Sequence, residues 1–180
     1  LGVQFNDQPQ GDITNQGDLA VGVGETLTLF GETVANSGDL TATGGTVQVL
    51  GDFVTMADSA TVDVSSATGG GTVLIGGDYQ GRETIPTAQQ TVVAAGVQIN
   101  ASALESGDGG TVVVWSDEVT DFAGTITAQG GIAGGDGGLI ETSSRGELDI
   151  GATAQVDARA WQGEPGTWLL DPTNLTVVQT

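Results

Sequence analysis

A nine-residue motif that returns along the chain constrains the fold more than any other feature. Its clearest copies begin at residues 44, 70 and 109, and they read GGTVQVLGD, GGTVLIGGD and GGTVVVWSD. Weaker copies begin at residues 24, 137 and 165, so successive copies are 20, 26, 39, 28 and 28 residues apart. The aliphatic residues within each copy lie two apart, which is the period of a β-strand with one buried face. The motif therefore predicts one strand in each of about six repeats.

Two further columns of alternating residues lie between the copies of the motif. The second column ends in a small residue, and its inward pairs are Leu40 and Ala42, Val62 and Val64, Ile99 and Ala101, Ile126 and Ala128, and Val156 and Ala158. The third column is looser, and its pairs are Val54 and Met56, Val119 and Phe122, and Leu148 and Ile150. Repeats of this length are typical of solenoids, in which each unit buries its apolar face only by stacking on the next.

Three short strands in each of about six repeats predict an all-β chain that folds as a parallel β-helix, with residues 1–180 in a single domain. Stacking would place Val47, Val73 and Val112 in one buried column. The glycines of the motif would lie where the chain turns a corner, often with positive φ. A β-sandwich also has many short strands and turns, but it does not predict matching columns at a regular spacing.

One interval is longer than the others, at 39 residues against 26 for the interval before it. Its surplus, YQGRETIPTAQQ at residues 79–90, breaks the alternation and contains the only tyrosine of the chain. We therefore predict a loop that projects from the β-helix. Loops on rigid scaffolds often carry function, so Tyr79 and Arg82 are candidate contacts with a ligand or partner. A loop without function is the alternative.

The charge of the chain excludes several classes of partner. Asp and Glu number 23 against three Lys and Arg, histidine is absent, and the net charge is -20. Such a chain cannot neutralise phosphates, so we expect no nucleic acid partner and no binding to an anionic membrane surface. No apolar run reaches the ~20 residues of a membrane span, so we expect no membrane insertion. The charge itself indicates a solvated surface or, alternatively, a site for divalent cations.

Catalytic chemistry is hard to place on this sequence. Cysteine and histidine are both absent, which leaves carboxylates such as Asp117, Glu118 and Asp121 in the segment SDEVTD. Glycoside hydrolysis needs two carboxylates that flank the scissile bond. These three lie near one corner, however, and Asp52 and Asp78 occupy the matching turn position, where Asp commonly bonds to the local backbone. We expect no catalytic residues and no cofactor.

Calcium binding is the remaining possibility for a metal. GDGGTVVV at residues 107–114 and GGDGGLIE at residues 134–141 are weakly similar to the nonapeptide that binds Ca²⁺ in parallel β-rolls. That nonapeptide repeats in tandem, whereas the period here is near 28 residues. The expectation is an absence of metal, with Ca²⁺ as the alternative.

Two tryptophans are candidate ligand contacts. Trp115 follows the inward Val114, so it is expected to point outward or to lie at a corner, with surface packing as the alternative role. Trp161 lies in the turn WQGEPG. Trp168 falls on the inward register, where it is expected to fill the core near the C-terminal end.

Four segments together resemble the filamentous haemagglutinin-like exoproteins of two-partner secretion, in the form found in cyanobacteria. They are GGGTVLIGGDYQG (69–81), SGDGGTVVVWSDEVTDFAGTITAQGG (106–131), GGDGGLIETSS (134–144) and GTWLLDPTNLTV (166–177). The resemblance implies the C-terminal part of a right-handed parallel β-helix shaft that is secreted and displayed at the cell surface or released. The chain lacks the NPNG-type motif of the family's secretion domain and is short, so we expect a segment, a processed product or a short family member.

Two functions follow from these observations and the resemblance. The first is a non-catalytic extracellular segment with a structural or adhesive role, in contact with a cell surface, a glycan or a matrix component. The second is a fibre subunit that stacks end to end, favoured by salt or divalent cations because screening weakens the repulsion between acidic copies. The strand-forming end LTVVQT would then place Thr176, Val177, Val178 and Gln179 in the contact. A carbohydrate-active β-helix enzyme is a third possibility.

Overall fold

The computed structural model describes residues 11–57, 59–82 and 84–178, and these form three parallel sheets wound into six coils. The nine-residue motif forms the strands of one sheet, which we call the motif sheet. Its strands lie in sequence order and are β3 (Thr26–Phe30), β6 (Thr46–Leu50), β9 (Thr72–Ile75), β12 (Thr111–Val114), β15 (Leu139–Thr142) and β18 (Thr167–Leu169). Val47, Val73 and Val112 are fully buried register partners, which confirms the predicted column.

The second column forms the alanine sheet. Its strands are only two or three residues long, and they are β2 (Leu19–Ala20), β5 (Leu40–Thr41), β8 (Thr61–Asp63), β11 (Gln98–Asn100), β14 (Thr125–Thr127) and β17 (Gln155–Asp157). Ala42, Ala101 and Ala128 follow their strands directly and are fully buried. The small residue predicted at the end of the second column therefore lies directly after its strand, where it packs in the core.

The third column forms the third sheet, whose strands complete the coils. They are β1 (Ile13–Asn15), β4 (Thr33–Asn36), β7 (Phe53–Met56), β10 (Gln90–Val93), β13 (Val119–Phe122), β16 (Glu147–Ile150) and β19 (Asn174–Val177). Along the chain, each coil passes from the third sheet to the alanine sheet and then to the motif sheet. One continuous apolar core draws residues from all three sheets.

The pairing of Val119 with Phe122 as inward residues of the third column was wrong. The inward residues of β13 are Thr120 and Phe122, which are fully buried, whereas Val119 is only partly buried. Thr120 lies beside Thr91 and Leu148 in the neighbouring strands. Its hydroxyl donates to the carbonyl oxygen of Ser143 at 2.8 Å. A hydrogen-bonded threonine thus occupies a position where the pattern predicted an apolar residue.

The surplus residues between β9 and β10 leave the coil and return to it at nearly the same place. The Ala88 N–H donates to the Gly76 carbonyl oxygen at 2.7 Å, so we call residues 77–87 the insertion. It begins with a short 3₁₀ segment, Tyr79–Gly81, and the predicted loop at 79–90 overlaps β10 at its last residue. Tyr79 and Ile85 pack outside the motif sheet, so the described part of the insertion lies against that sheet.

No helix among the described residues has both the length and the apolar character needed to cross a membrane.

Candidate partner-contact surfaces

Trp115 lies under the insertion and not on the surface. It is 5% exposed and clusters with Leu74 and Val113, the outward-facing residues of the motif sheet. A Cβ on Gly77 would lie 2.7 Å from the indole Cδ1, and one on Gly81 would lie 2.3 Å from Cζ2. Ligand contact by Trp115 therefore does not fit its placement. Outward orientation was predicted from the register, but the register could not show that the insertion would bury the ring.

Tyr79 and Arg82 lie close together near the start of the insertion. The Arg82 guanidinium carbon is 5.2 Å from the centroid of the Tyr79 ring, within range of a cation–π contact. Arg82 is exposed and Tyr79 is half-buried. The Asp78 carboxylate accepts a hydrogen bond from the Tyr79 N–H at 2.7 Å and another from the Thr84 hydroxyl. The two candidate contacts are thus adjacent on a hydrogen-bonded turn.

Glu141 fastens the insertion to the motif sheet. Its carboxylate is fully buried beside Val113 and accepts a hydrogen bond from the Gln80 N–H at 2.9 Å. Burial raises the pKa of Glu141, the hydrogen bond from the Gln80 N–H opposes this, and the nearby charges of Asp171 and Asp78 add to the rise. Oε1 has no hydrogen-bond partner among the described residues. Sequence reasoning missed Glu141, although an acid in the outward register of Leu74 and Val113 was a usable signal.

Two acidic residues of SDEVTD, Asp117 and Asp121, have different surroundings. Asp117 accepts a hydrogen bond from the Thr87 hydroxyl at 2.8 Å and lies 3.4 Å from the Arg145 guanidinium. Asp121 faces outward on β13, next to Asp149 on β16. The pKa of Asp121 is raised by burial and then by the charge of Asp149. Asp117 is thus engaged by Thr87 and Arg145, whereas Asp121 lies beside Asp149 of the next coil.

The acids of the GDGG segments hold successive coils together. The Asp108 carboxylate accepts a hydrogen bond from the Asp136 N–H at 2.8 Å. One coil further, the Asp136 carboxylate accepts from the Glu164 N–H at 2.8 Å. Hydrogen bonds to backbone N–H groups thus give a structural reason for Asp108 and Asp136, the acids of the two segments that were compared with the Ca²⁺-binding nonapeptide. Within residues 11–57, 59–82 and 84–178, no group of three Asp or Glu residues is placed to hold a metal ion.

Trp161 is exposed on the corner that follows the alanine sheet. Its side chain is 56% exposed, and the Arg159 guanidinium carbon is 5.9 Å from its ring centroid. Arg159 also donates from Nε to the Asp157 carboxylate at 2.8 Å. Hydrogen bonds from Arg159 hold the pKa of Asp157 at about 2. Trp161 is therefore accessible, and its neighbouring charges are paired with each other.

The last coil presents core-register residues to solvent. Trp168, Leu175 and Val177 align with the buried Ile140, Leu148 and Ile150, but they are 41%, 47% and 60% exposed. The predicted inward register of Trp168 agrees with this alignment, but the expectation that it fills the core was wrong, because no further coil among the described residues covers it. Its Nε1 donates to the Thr142 hydroxyl at 2.9 Å. Thr176 and Val178 are also exposed, while Gln179 lies outside the described residues. We call Trp168, Leu175 and Val177 the end face.

The architecture and these surfaces define a parallel β-helix protein. No family model and no curated protein matches the sequence. Among solved structures, the chain is similar to the HMW1 secretion domain from Haemophilus influenzae, with 28% sequence identity and a TM-score of 0.66. The similarity covers 89% of this chain and 49% of the other, so this chain spans about half the length of that neighbour.

The similarity to a secretion domain agrees, at a coarse level, with the expected relationship to exported two-partner-secretion proteins. The neighbour is described as a secretion domain, which at the same coarse level favours a non-catalytic role over an enzymatic one. The cyanobacterial type and the placement in the C-terminal part of a shaft stay predictions.

Proposed function

We propose that this chain is a non-catalytic β-helical segment of a secreted, surface-associated protein, in which it has a structural and adhesive role. The observation that carries the proposal is the stack of six coils in continuous register, together with its similarity to a secretion domain over 89% of the chain. A stack of this kind forms a rigid support, and the side chains at its corners are free to contact partners.

The arrangement of the carboxylates supports a structural role. Asp108 and Asp136 each accept a backbone N–H from the following coil, and Asp117 bonds to the insertion through Thr87. An active site would instead direct acids toward a shared cleft. We therefore expect the double variant Asp117→Asn and Asp121→Asn to show no loss of turnover on pectin, alginate or glucan, because the parent chain has none. Turnover that the double variant abolishes would contradict a non-catalytic role.

Surface exposure is tested in the cells that produce the protein. An antibody against the purified chain would detect it in the medium or on intact cells, and external protease would remove the cell-bound signal. A cytoplasmic enzyme in the same cells is the control, because protease should leave it intact. A signal that is fully protected until the cells are lysed would overturn the proposed location.

The adhesive role is tested with beads that carry the purified chain. We expect these beads to attach to cells or matrix of the producing organism, and the adjacent pair Tyr79 and Arg82 is the first contact to remove. A matched control is Gln98→Ala, which truncates an exposed side chain on the alanine sheet. Attachment no stronger than that of beads with an unrelated acidic protein would contradict adhesion.

End-to-end assembly is the second candidate function, and the end face favours it. Trp168, Leu175 and Val177 offer an apolar surface in the register of the core, and β17, β18 and β19 each pair on one side only within the described chain. Unpaired strand edges favour further pairing, and contact between opposite ends builds an open fibre. The net charge of -20 opposes this contact.

Salt dependence distinguishes assembly from a monomeric role. The Debye length falls from ~30 Å at 0.01 M salt to ~3 Å at 1 M, so we expect light scattering to rise with salt or Ca²⁺. The double variant Leu175→Glu and Val177→Glu should stay monomeric. The control Phe53→Glu, which changes an exposed apolar residue in the middle of the stack, should assemble as the parent does. A strict monomer at every salt and Ca²⁺ concentration would overturn this candidate.

A further inference from the structure

A groove of about 340 Å³ runs beside the corner that follows the alanine sheet. One side of it carries Leu104, Ile132 and Trp161, which are 52%, 59% and 56% exposed. These residues come from three successive coils. We call them the apolar ridge. Exposed apolar side chains that lie together across several coils are a feature of ligand and partner sites, whereas single ones need no explanation.

The apolar ridge is held by bonds to neighbouring residues. Gln162, next to Trp161, donates from Nε2 to the Ile132 carbonyl oxygen at 2.9 Å, which links the last two turns of the ridge. The Arg159 guanidinium lies against the Trp161 ring, and Asp157 in turn holds Arg159. The exposed indole is therefore positioned before any ligand arrives, which lowers the entropy lost on binding.

The groove also offers unused hydrogen-bonding atoms. The Asn100 Oδ1 accepts from the Ser102 N–H at 3.1 Å and from the Thr127 hydroxyl at 3.0 Å, which fixes the amide. The Gln129 Nε2 donates to Asp157 at 2.7 Å. Asn100 Nδ2 and Gln129 Oε1 have no hydrogen-bond partner in the described ranges, so one donor and one acceptor are free beside the apolar ridge.

Charge narrows the class of ligand. The described residues that line the groove are all uncharged, in a chain whose net charge is -20. An anionic polymer would be repelled by the surrounding surface, and a cationic one would find no carboxylate in the groove itself. The lining therefore matches an uncharged ligand.

We propose that this groove binds a neutral oligosaccharide chain. The indole and the two aliphatic side chains would pack on the C–H faces of sugar rings, and the free amide atoms would bond to hydroxyl groups. A peptide strand would need backbone partners, but Ala101 and Ala103 already donate to Thr127 and Gln129 of the next coil. A second groove of about 460 Å³ shares Thr127 with the first, but Asp157 and Arg159 line it, so we place the neutral sugar chain in the uncharged groove.

This proposal deepens the adhesive part of the proposed function and rests on it. The test is isothermal titration of the purified chain with neutral hexasaccharides of β-1,4-glucan, β-1,4-mannan, β-1,4-xylan, β-1,3-glucan and α-1,4-glucan, with hexagalacturonate as the anionic comparison. We expect at least one neutral hexasaccharide to bind and hexagalacturonate not to bind. Trp161→Ala should weaken binding at least tenfold, and Trp161→Phe should restore part of it.

Phe53→Ala is the matched control, because it removes an exposed aromatic ring from the third sheet and should leave the affinity unchanged. Circular dichroism checks that each variant is folded. The proposal is overturned if no neutral hexasaccharide binds, if Trp161→Ala leaves binding intact, or if hexagalacturonate binds as well as the neutral sugars. Competition by a basic peptide such as oligolysine would instead indicate a protein partner. These measurements use the isolated chain, so their failure is separate from a failure of surface exposure on cells.

Discussion

The glycines of the motif are required mainly by close contact between coils. Positive φ was predicted at corners, and Gly24 and Gly44 have it, with φ of 75° and 60°. The second glycine of later copies has a different reason. A Cβ on Gly110 would lie 2.0 Å from the Gly71 carbonyl oxygen, and one on Gly138 would lie 2.1 Å from that of Gly110. Spacing in the sequence located these glycines, but only the stacked backbones show why a side chain is excluded.

Gly81 tests how the insertion covers Trp115. Gly81→Ala combines the strain of a φ of +61° with a Cβ 2.3 Å from the Trp115 ring, whereas Gly24→Ala has a similar φ of +75° and open space. We expect Gly81→Ala to be the more destabilising by about 1–3 kcal/mol, the usual cost of overpacking. Urea unfolding measures this. Trp115 fluorescence, with Trp161 and Trp168 changed to Phe, should shift to the red only in Gly81→Ala. Equal effects of the two variants would contradict the close contact.

Glu141 gives the chain a specific dependence on pH. Burial raises its folded pKa above the ordinary value of 4.5, so the folded chain holds the proton to higher pH than the unfolded chain does. Stability is therefore lost as pH rises from 4.5 through the raised pKa. We expect Glu141→Gln to remove this loss of stability. Between pH 4.5 and the raised pKa of Glu141, the urea midpoint of the variant should exceed that of the parent by an amount that grows with pH. Above the raised pKa, the difference between the two midpoints should be constant. The exposed Glu147→Gln is the control. Parallel curves for the two variants would show that burial of Glu141 has no such effect.

At the scale of elements, the motif and alanine sheets were predictable because their inward residues are, with exceptions such as Thr142, apolar or small. Val62, Ile99 and Ile126 alternate with polar residues, and the structure buries all three. The third sheet was less predictable because it places Asn36, Thr91 and Thr120 in the core, where hydrogen bonds satisfy them. A period-two pattern cannot identify an inward position that is polar. For this reason β4 and β10 were missed and β13 was given a mixed register.

The register of β13 is tested by substituting two of its own adjacent residues, Thr120 and Val119, in separate variants. Thr120→Val removes a hydroxyl that bonds to the Ser143 carbonyl oxygen and contacts Ser116 at 2.7 Å, both in the core. We expect a loss of about 1–3 kcal/mol, because a buried polar group loses its partner. Val119→Thr, at a partly buried position, should change stability by no more than about 0.5 kcal/mol. Thermal and urea unfolding measure both. The reverse order would mean that β13 is shifted by one residue, since such a shift exchanges its two faces.

For the whole molecule, the repeat predicted the stack, but it could not predict which surfaces the stack exposes. Trp115 and Trp161 both follow the strands as outward or turn residues, yet the insertion buries the first and the second stays exposed. The groove beside Trp161 needed three coils in register before Leu104 and Ile132 could lie next to the indole. Contacts between residues about 28 positions apart decide these outcomes, and no local pattern contains them.

Stability should vary along the stack. In a solenoid each coil contacts only its neighbours, so coils at an end open more readily than those with neighbours on both sides. The inward residues of β17, β18 and β19 are partly or fully exposed, whereas those of β9, β11 and β12 are buried. We expect hydrogen exchange by mass spectrometry to label residues 155–178 well before residues 97–128. Simultaneous exchange of both regions would indicate one cooperative unit and contradict this gradient.

The hydrogen bonds between coils have a mechanical consequence. They lie along the axis of the stack and connect the coils in series, so a pulling force applied at the two ends would break one layer of bonds after another. A released coil of 28 residues frees about 100 Å of extended chain. The coil with the 39-residue interval stores more chain, but the buried Trp115 and the Glu141 bond hold that surplus in place. Under tension the molecule would thus lengthen in discrete steps and absorb work at each one.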